Sequence, residues 1–477
     1  MNLIDLPILK GLSDYRDERV LRFHMPGHYG RASFPELEYL AENMYEFDVT
    51  EVDGTDNLNN PKSIILDSLS QISRTYGSKQ SFVLVNGSTS GLHIAIDTLV
   101  DQDSHVIVAR NCHKSVHSIL SRMNVNVHYI YPELDPVFHN DSHIDSKKLF
   151  NMIEDLKKRG IDDISAVILT CPNYFGRSFP LKGISSYLES KNIYLIVDEA
   201  HGAHFEFSSD LPESAVSQGA AISVQSAHKT LPALTQVSML HLGHNFPDSR
   251  MERLRKNINF YQTSSPSYLF MASCEAAVSI MTRYGPERLS DLKSWIEESK
   301  QALSENPYVR VYSDYAAGMP QDFCKIALKT PIKGEVLSAI LRKNYHIQCE
   351  MAAGFNILFM AGLTHTKSDI LALAEAVEDS LKNNNHLFDD AFEADFISLY
   401  PETESLKNII LSNNKTDGDL LIITKNISDL EDDISAEEII PYPPGIPLLM
   451  KYEKINKDMV KALKYHEYSE IKCYITV

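Results

Sequence analysis

The sequence predicts a doubly wound α/β fold with a mostly parallel central sheet, followed by a smaller α/β unit and a C-terminal α+β part. Three observations predict it. Short β-branched apolar runs alternate with helical periodicities from Ser63 to about residue 278. The run Ile193-Tyr194-Leu195-Ile196-Val197 stops at Asp198-Glu199-Ala200-His201-Gly202, as a strand buried on both faces stops at a turn. A second run, Ala221 to Ser226, stops at Ala227-His228-Lys229-Thr230. In open α/β sheets ligands bind beyond the carboxyl ends of the strands, so Asp198 and Lys229 stand where such folds keep their chemistry.

The elements follow in order. Residues 1–62 read as an N-terminal arm and loop: residues 1 to about 30, ending in RFHMPGHYG, as an extended arm, and EFDVTEVDGTDNLNNPKS as a loop. A large domain is expected over 63–278. Its first helix starts near Ser63 and ends on Gly77. The strand SFVLV (81–85) enters Asn86-Gly87-Ser88-Thr89-Ser90-Gly91, and the helix LHIAIDTLV follows. Free helix amides with hydroxyls beside them suit a phosphate, although a plain Ser/Thr N-cap reads the same way. No Gly-Lys-Ser/Thr follows, so this is not a Walker loop. The strand HVIVAR (105–110) ends before His113, which is either a structural histidine or part of a site. A variable stretch (131–145), a helix near 146–158, the strand AVILT (166–170), the loop CPNYFGRSFP and the helix KGISSYLES complete the alternation. After Lys229 come the strand-like QVSMLHL (236–242) and helical segments. A small α/β domain is expected over 279–385, with FCKIAL and FNILFMA as strands. A C-terminal domain is expected over 386–477, with the linker NNNHLFDDAFE, short strands in LLIIT and CYITV, and the proline-fixed loop IIPYPPGIPLL.

Composition narrows the class. A chain of 477 residues suits roughly two or three domains. No apolar run is long enough for a membrane span, and the charged start MNLIDLPILKGLSDYRDERV does not read as a signal peptide. A net charge of −19 disfavours nucleic acid and anionic membranes and suits a small cationic substrate. Cys112, Cys171, Cys274, Cys324, Cys349 and Cys473 lack CxxC spacing and fit free thiols in a reducing cytoplasm.

A carboxylate and a lysine at neighbouring strand ends are what pyridoxal 5′-phosphate requires. The lysine carries the cofactor as a Schiff base and the acid keeps the pyridine nitrogen protonated. A salt bridge at the rim of the sheet is the plainer alternative. The stretches FHMPGH, DVTEVDGTD, NGSTSG, ARNCHKSVH, VDEAHGAHF, VQSAHKTL, TSSPSYLFMAS and IIPYPPGIPLL, in that order and over nearly all of the chain, resemble the ornithine/lysine/arginine decarboxylases of pyridoxal-phosphate fold type I. These are aspartate aminotransferase-like enzymes. The resemblance is to the shorter, arginine decarboxylase-like members without the N-terminal wing domain.

The resemblance implies the roles that follow. Lys229 would carry the cofactor, Asp198 would pair with the pyridinium nitrogen, Ala200 would pack beneath the ring and His113 would stack on its other face. Ser88, Thr89 and Ser90, with Ser226, would bind the phosphate. His228 would be a phosphate ligand or proton donor, and His201 would line the pocket. Ser264 or Ser265 would reach the phosphate of a partner subunit in a homodimer. The implied reaction is decarboxylation of a basic L-amino acid to the amine and CO2, with arginine slightly ahead of lysine and ornithine, in polyamine supply or pH homeostasis. Asp53, Asp56, Glu350 and Glu453 are the candidates to receive the substrate's cationic side chain. The sequence departs from the family pattern at Asp56-Asn57-Leu58-Asn59-Asn60, Cys171-Pro172-Asn173-Tyr174-Phe175-Gly176, Ser273-Cys274-Glu275 and Lys451-Tyr452-Glu453. These departures keep open another reaction of the same fold type, such as transamination, racemisation or aldol-type cleavage. A remoter reading is a metal-dependent hydrolase, from His113-x3-His117 and from His201-x2-His204 beside Asp198 and Glu199. No metal is expected on the main reading.

Overall fold

A computed structural model describes residues 6–312, 318–393, 422–430, 433–441, 445–451, 453–465 and 468–474. The N-terminal stretch is not the extended arm its sequence suggests. Pro7–Asp17 is a helix with proline at its start, where the missing N–H costs nothing, and it buries none of its residues. Strand β1 (Leu21–Phe23) follows.

Seven strands form the central sheet: β2 (Gln80–Leu84), β3 (His105–Ala109), β4 (Asn126–Ile130), β5 (Ile164–Thr170), β6 (Tyr194–Asp198), β7 (Ile222–Gln225) and β8 (Ser238–Leu242). Their order is β2-β8-β7-β6-β5-β3-β4. The run β7-β6-β5-β3-β4 is parallel and β8 is antiparallel to both of its neighbours. Val106, Ile107, Val167, Ile168, Ile196 and Val197 are wholly buried, as expected for strands covered by helices on both faces. Strand β4 was not legible in the sequence. NVHYI mixes polar and apolar residues, which marks a half-buried edge strand rather than an apolar run.

The boundary expected at 278/279 falls inside one 38-residue helix, Tyr268–Glu305, which joins the large unit to the small one. The small unit holds β9 (Arg310–Val311), β10 (Lys325–Lys329), β11 (Ile347–Cys349), β12 (Met351–Ala353) and β13 (Asn356–Met360). Strands β12-β13-β10-β9 form an antiparallel sheet, and β11 pairs in parallel with β1. Residues 21–23 are thereby part of a unit that lies more than 280 positions further along.

At the C-terminal end, β14 (Ile422–Asn426), β15 (Ile434–Ser435) and β16 (Glu470–Tyr474) form an antiparallel sheet in the order β14-β16-β15. Ile427, Leu449, Met459, Leu463 and Ile471 give it a core of its own. It docks on the large unit through the end of β3. The Lys114 N–H donates to the Gly445 carbonyl at 3.0 Å, and the buried guanidinium of Arg110 grips this segment. Part of IIPYPPGIPLL and the end of CYITV lie outside the described residues. Among the described residues no helix is long and apolar enough to cross a membrane.

Candidate active site

The site gathers at the carboxyl ends of β6 and β7. Asp198 closes β6 with 3% of its surface exposed, and its Oδ1 accepts the Ala200 N–H at 3.2 Å. Burial pushes its carboxyl pKa up and the charge of Lys229 pulls it back. Among the described residues no cation lies within ion-pairing distance of it. A buried carboxylate in that state is costly unless something positive joins it.

Lys229 sits in a single helical turn, Ala227–Thr230, directly after β7. The turn ends because Pro232 forces Leu231 into extended backbone, at φ −95° and ψ 159°. FHMPGH braces this turn. The Gly27 N–H donates to the His228 carbonyl at 2.7 Å, and a Cβ on Gly27 would lie 2.5 Å from the Leu231 oxygen. Glycine is needed there for close approach. Lys229 Nζ lies 3.1 Å from His201 Nε2. Burial lowers the Lys229 pKa, against the opposing pull of Asp198 and then Glu350.

The hydroxyls of NGSTSG go separate ways. Ser88 Oγ and Ser226 Oγ lie 2.8 Å apart, so the first turn of helix Gly87–Leu99 meets the end of β7. The buried Ser90 hydroxyl is spent on the Gly87 carbonyl at 2.7 Å, and Thr89 is exposed. The amides of the first turn of that helix, which have no intrahelical acceptor, lie beside this pair. His113 caps the helix Lys114–Leu120, its Nδ1 accepting the Ser115 N–H at 3.2 Å. Burial, then the charges of Lys229 and Lys114, hold it neutral with a pKa of about 4. Ala200 is buried beside Asp198. Ser264 and Ser265 are exposed on the segment before helix Tyr268–Glu305.

His228 is placed differently from the expectation of a donor. Its Nδ1 faces the Val237 carbonyl at 2.9 Å and must carry the proton there, which leaves Nε2 a lone pair. Burial, offset by that bond, lowers it to about 4, so near neutrality it has no second proton to give.

Two of the four candidate substrate acids are committed elsewhere. Asp56 accepts the backbone N–H groups of Asn57, Lys62, Ser63 and Ile65, which knots the loop to the start of helix Ile64–Thr75. Burial works upward on its pKa, but these donors hold it at about 2. Glu453 forms a buried ion pair with Arg110 at 2.9 Å and accepts the Met450 N–H at 2.8 Å. Asp53 is exposed on its loop. Only Glu350 belongs to the inner site. It accepts the Met25 N–H at 2.9 Å and the Tyr174 hydroxyl, and its charge reaches Lys229. The departures at Asn57 and Asn173 are loop joints: Asn57 Oδ1 accepts the Asn59 N–H, and Asn173 Oδ1 accepts the Arg177 N–H.

One residue went unforeseen. Lys325, the first residue of β10, is wholly buried with its Nζ 3.0 Å from His201 Nδ1 and 5.4 Å from the ring centre of Tyr174. A lysine inside the apolar FCKIAL was the available signal, because a buried strand tolerates one only for a reason.

The histidines of the metal reading do not converge on the acids. His117 Nε2 faces the Cys112 carbonyl at 3.2 Å, and His204 pairs with Asp322 at 3.0 Å. Glu199 accepts from Ser223, Gln225 and the Ala215 N–H. Among the described residues the grouping close enough to hold a metal is His204 with Asp322 and Cys324, and it includes none of His113, His117, His201, Asp198 or Glu199.

A buried carboxylate lacking a cation, a lysine within range of its charge, and a hydroxyl pair beside free helix amides fit pyridoxal phosphate at its ring nitrogen, its aldehyde and its phosphate. Fold and site define a pyridoxal-phosphate-dependent enzyme of fold type I. The chain belongs to the Orn/Lys/Arg decarboxylase family: residues 6–324 match its major domain and residues 422–472 its C-terminal domain. It is accordingly a pyridoxal-phosphate-dependent decarboxylase. It is similar to YaaO, an uncharacterized protein of Bacillus subtilis (strain 168), at 30% identity over 96% of this chain and 94% of that one. It is similar to an arginine decarboxylase of the same organism at 24% identity, covering 97% of this chain and 94% of that one. Among solved structures, the lysine decarboxylase LdcF of Francisella novicida shares the fold, with a TM-score of 0.75 at 19% identity over 94% of this chain and 78% of that one.

Proposed function

We propose that the chain decarboxylates L-arginine in preference to lysine or ornithine, with Lys229 and Asp198 as its central residues. The observation that carries the site assignment is the buried Asp198 carboxylate, short of a cation yet within range of the charge on Lys229. The near-full-length match to an arginine decarboxylase supports arginine.

When bound, pyridoxal phosphate supplies a sink for the electron pair left behind as CO2 departs. Asp198 holds a proton at the ring nitrogen, because a buried carboxylate stabilises a positive charge beside it. Lys229 provides the amine that anchors the cofactor, and afterwards the Nζ that returns a proton to Cα. His228, with its only proton turned to Val237, leaves that step to Lys229. Ser88, Ser226 and the first amides of helix Gly87–Leu99 bind the phosphate, and His113 and Ala200 bracket the ring. Ser264 or Ser265 serves the phosphate of a second copy in a homodimer, which their exposure in one chain supports. Glu350 and Asp53 are the acids left for the substrate's cationic side chain. The six cysteines, all free thiols, support a cytoplasmic setting.

The test is an absorption spectrum of the purified protein, then CO2 and amine detection with arginine, lysine and ornithine in parallel. A yellow protein releasing agmatine fastest bears out the proposal. Keto acid in place of amine, or faster release from lysine or ornithine, overturns it.

A further inference from the structure

The array Lys229–His201–Lys325 does not follow from the decarboxylase assignment. His201 is buried and presents each ring nitrogen to a lysine: Nε2 to Lys229 at 3.1 Å and Nδ1 to Lys325 at 3.0 Å. A neutral imidazole has one N–H and one lone pair, and an ammonium has donors only. Two ammonium groups would need two acceptors on a ring that offers one. An imidazolium would donate from both nitrogens and require both lysines as free amines. No arrangement that satisfies both contacts leaves the three groups with more than a single positive charge.

Charged, titratable and aromatic groups stand around Lys325 on each side. Asp322 and Cys324 precede it in the chain, Glu350 lies beyond β11, the Tyr174 ring comes from the loop after β5, and Lys229 lies across His201. Asp322 is itself paired with His204 at 3.0 Å. Burial, offset by Glu350 and Asp322, brings the Lys325 pKa down to about 8, where a lysine can exchange its proton near neutrality. Burial also lowers His201, so the ring passes a proton on rather than keeping it.

We propose that Lys325 is a positioning residue that takes a proton from Lys229 through His201, so that Lys229 becomes a free amine without releasing a proton to solvent. In one concerted shift, Lys229 gives a proton to Nε2 while Nδ1 gives its proton to Lys325. The ring changes tautomer and the total charge is conserved. The Lys229 lone pair then bonds to the aldehyde carbon of pyridoxal phosphate, the carbonyl oxygen leaves as water, and a C=N bond results. The inference rests on Lys229 being the lysine that carries the cofactor.

The experiment follows the rate at which cofactor-stripped protein recombines with pyridoxal phosphate, read from the visible C=N absorbance between pH 6.5 and 9.5. While the array holds one proton, the wild-type rate is flat with pH. In Lys325→Met the proton must leave to solvent, so the rate falls about tenfold per pH unit below a midpoint and approaches the wild-type rate at the alkaline end. His201→Gln cuts the relay in its middle and gives the same slope, which covers the case of Lys325→Met failing to fold. A structural role for Lys325 would lower the rate equally at every pH, and that parallel profile overturns the proposal. So does a wild-type rate that itself climbs tenfold per unit. Borohydride reduction and peptide mapping separate the two levels of the argument. Cofactor trapped on Lys229 with parallel profiles sinks the relay alone, whereas cofactor trapped elsewhere sinks the assignment of Lys229 and the relay with it.

Discussion

Replacing Glu453 by glutamine should undock the C-terminal segment and leave substrate affinity untouched. The Arg110 and Glu453 side chains are only 2% and 6% exposed. Arg110 Nε and Nη2 each meet a Glu453 oxygen at 2.9 Å, Nη1 donates to the Pro447 carbonyl at 2.6 Å and Nη2 to Leu448 at 3.3 Å. Glutamine removes the charge and turns an NH2 toward either the Met450 N–H or the guanidinium, donor against donor. Breaking one side of a buried pair costs about 3–5 kcal/mol. Native-state hydrogen exchange on the peptide 445–451 reads this directly. Amides opening through undocking should exchange roughly a hundredfold to several thousandfold faster, since each 1.4 kcal/mol is about tenfold. The KM for arginine should stay within about twofold of wild type. Exchange unchanged within about threefold, together with a tenfold rise in KM, would refute the reasoning and return Glu453 to the substrate.

Other outcomes are equally definite. Asp198→Asn should lower kcat by about 10²–10⁴-fold and weaken cofactor retention, seen as loss of visible absorbance on dialysis; a drop under threefold would contradict its pairing with the ring nitrogen. Gly27→Ala pushes a methyl onto the Leu231 carbonyl, and should cost about 1–3 kcal/mol in a urea titration and slow cofactor binding at the Lys229 turn. His117 and His241 are buried as neutral rings with pKa values of about 3, against about 6.5 in an unfolded chain. The unfolded state therefore binds protons first. The stability these rings contribute is complete above pH 6.5 and is lost as the pH falls toward 3, by about 2 kcal/mol each at pH 5. Urea midpoints at pH 7.5 and 5 should show the loss, and His241→Gln should make it smaller by about 2 kcal/mol; equal slopes for mutant and wild type would speak against the assignment.

What was legible in the sequence was local. Strands β3, β5, β6 and β7 are apolar runs that announce themselves, and the residues at their ends needed only the rule that α/β sheets keep ligands there. Asp198, Lys229 and the Ser88 turn were reached in that way. The failures involve partners far away in the chain. Nothing near Glu453 indicates that Arg110, 343 positions earlier, would claim it. Nothing near Asp56 separates a substrate acid from a carboxylate that gathers the amides of its own loop. Lys325 looked like one polar residue in a strand until His201 was set against it, 124 positions away. The helix Pro7–Asp17 does carry apolar residues at helical spacing, Ile8, Leu12 and Tyr15, but buries none of them.

The parallel pairing of Leu21–Phe23 with Ile347–Cys349 bears on protein engineering. A chimera that exchanges the small unit with a relative's at a cut near residue 279 would split one helix and leave a foreign β11 facing a native β1. The Met25 N–H that steadies Glu350 would also belong to the wrong parent. A workable exchange moves two pieces together, residues 20–31 and the stretch from 306 to 384. In recombination libraries built from such parents, surviving crossovers should therefore be correlated at these two distant places rather than scattered along the chain.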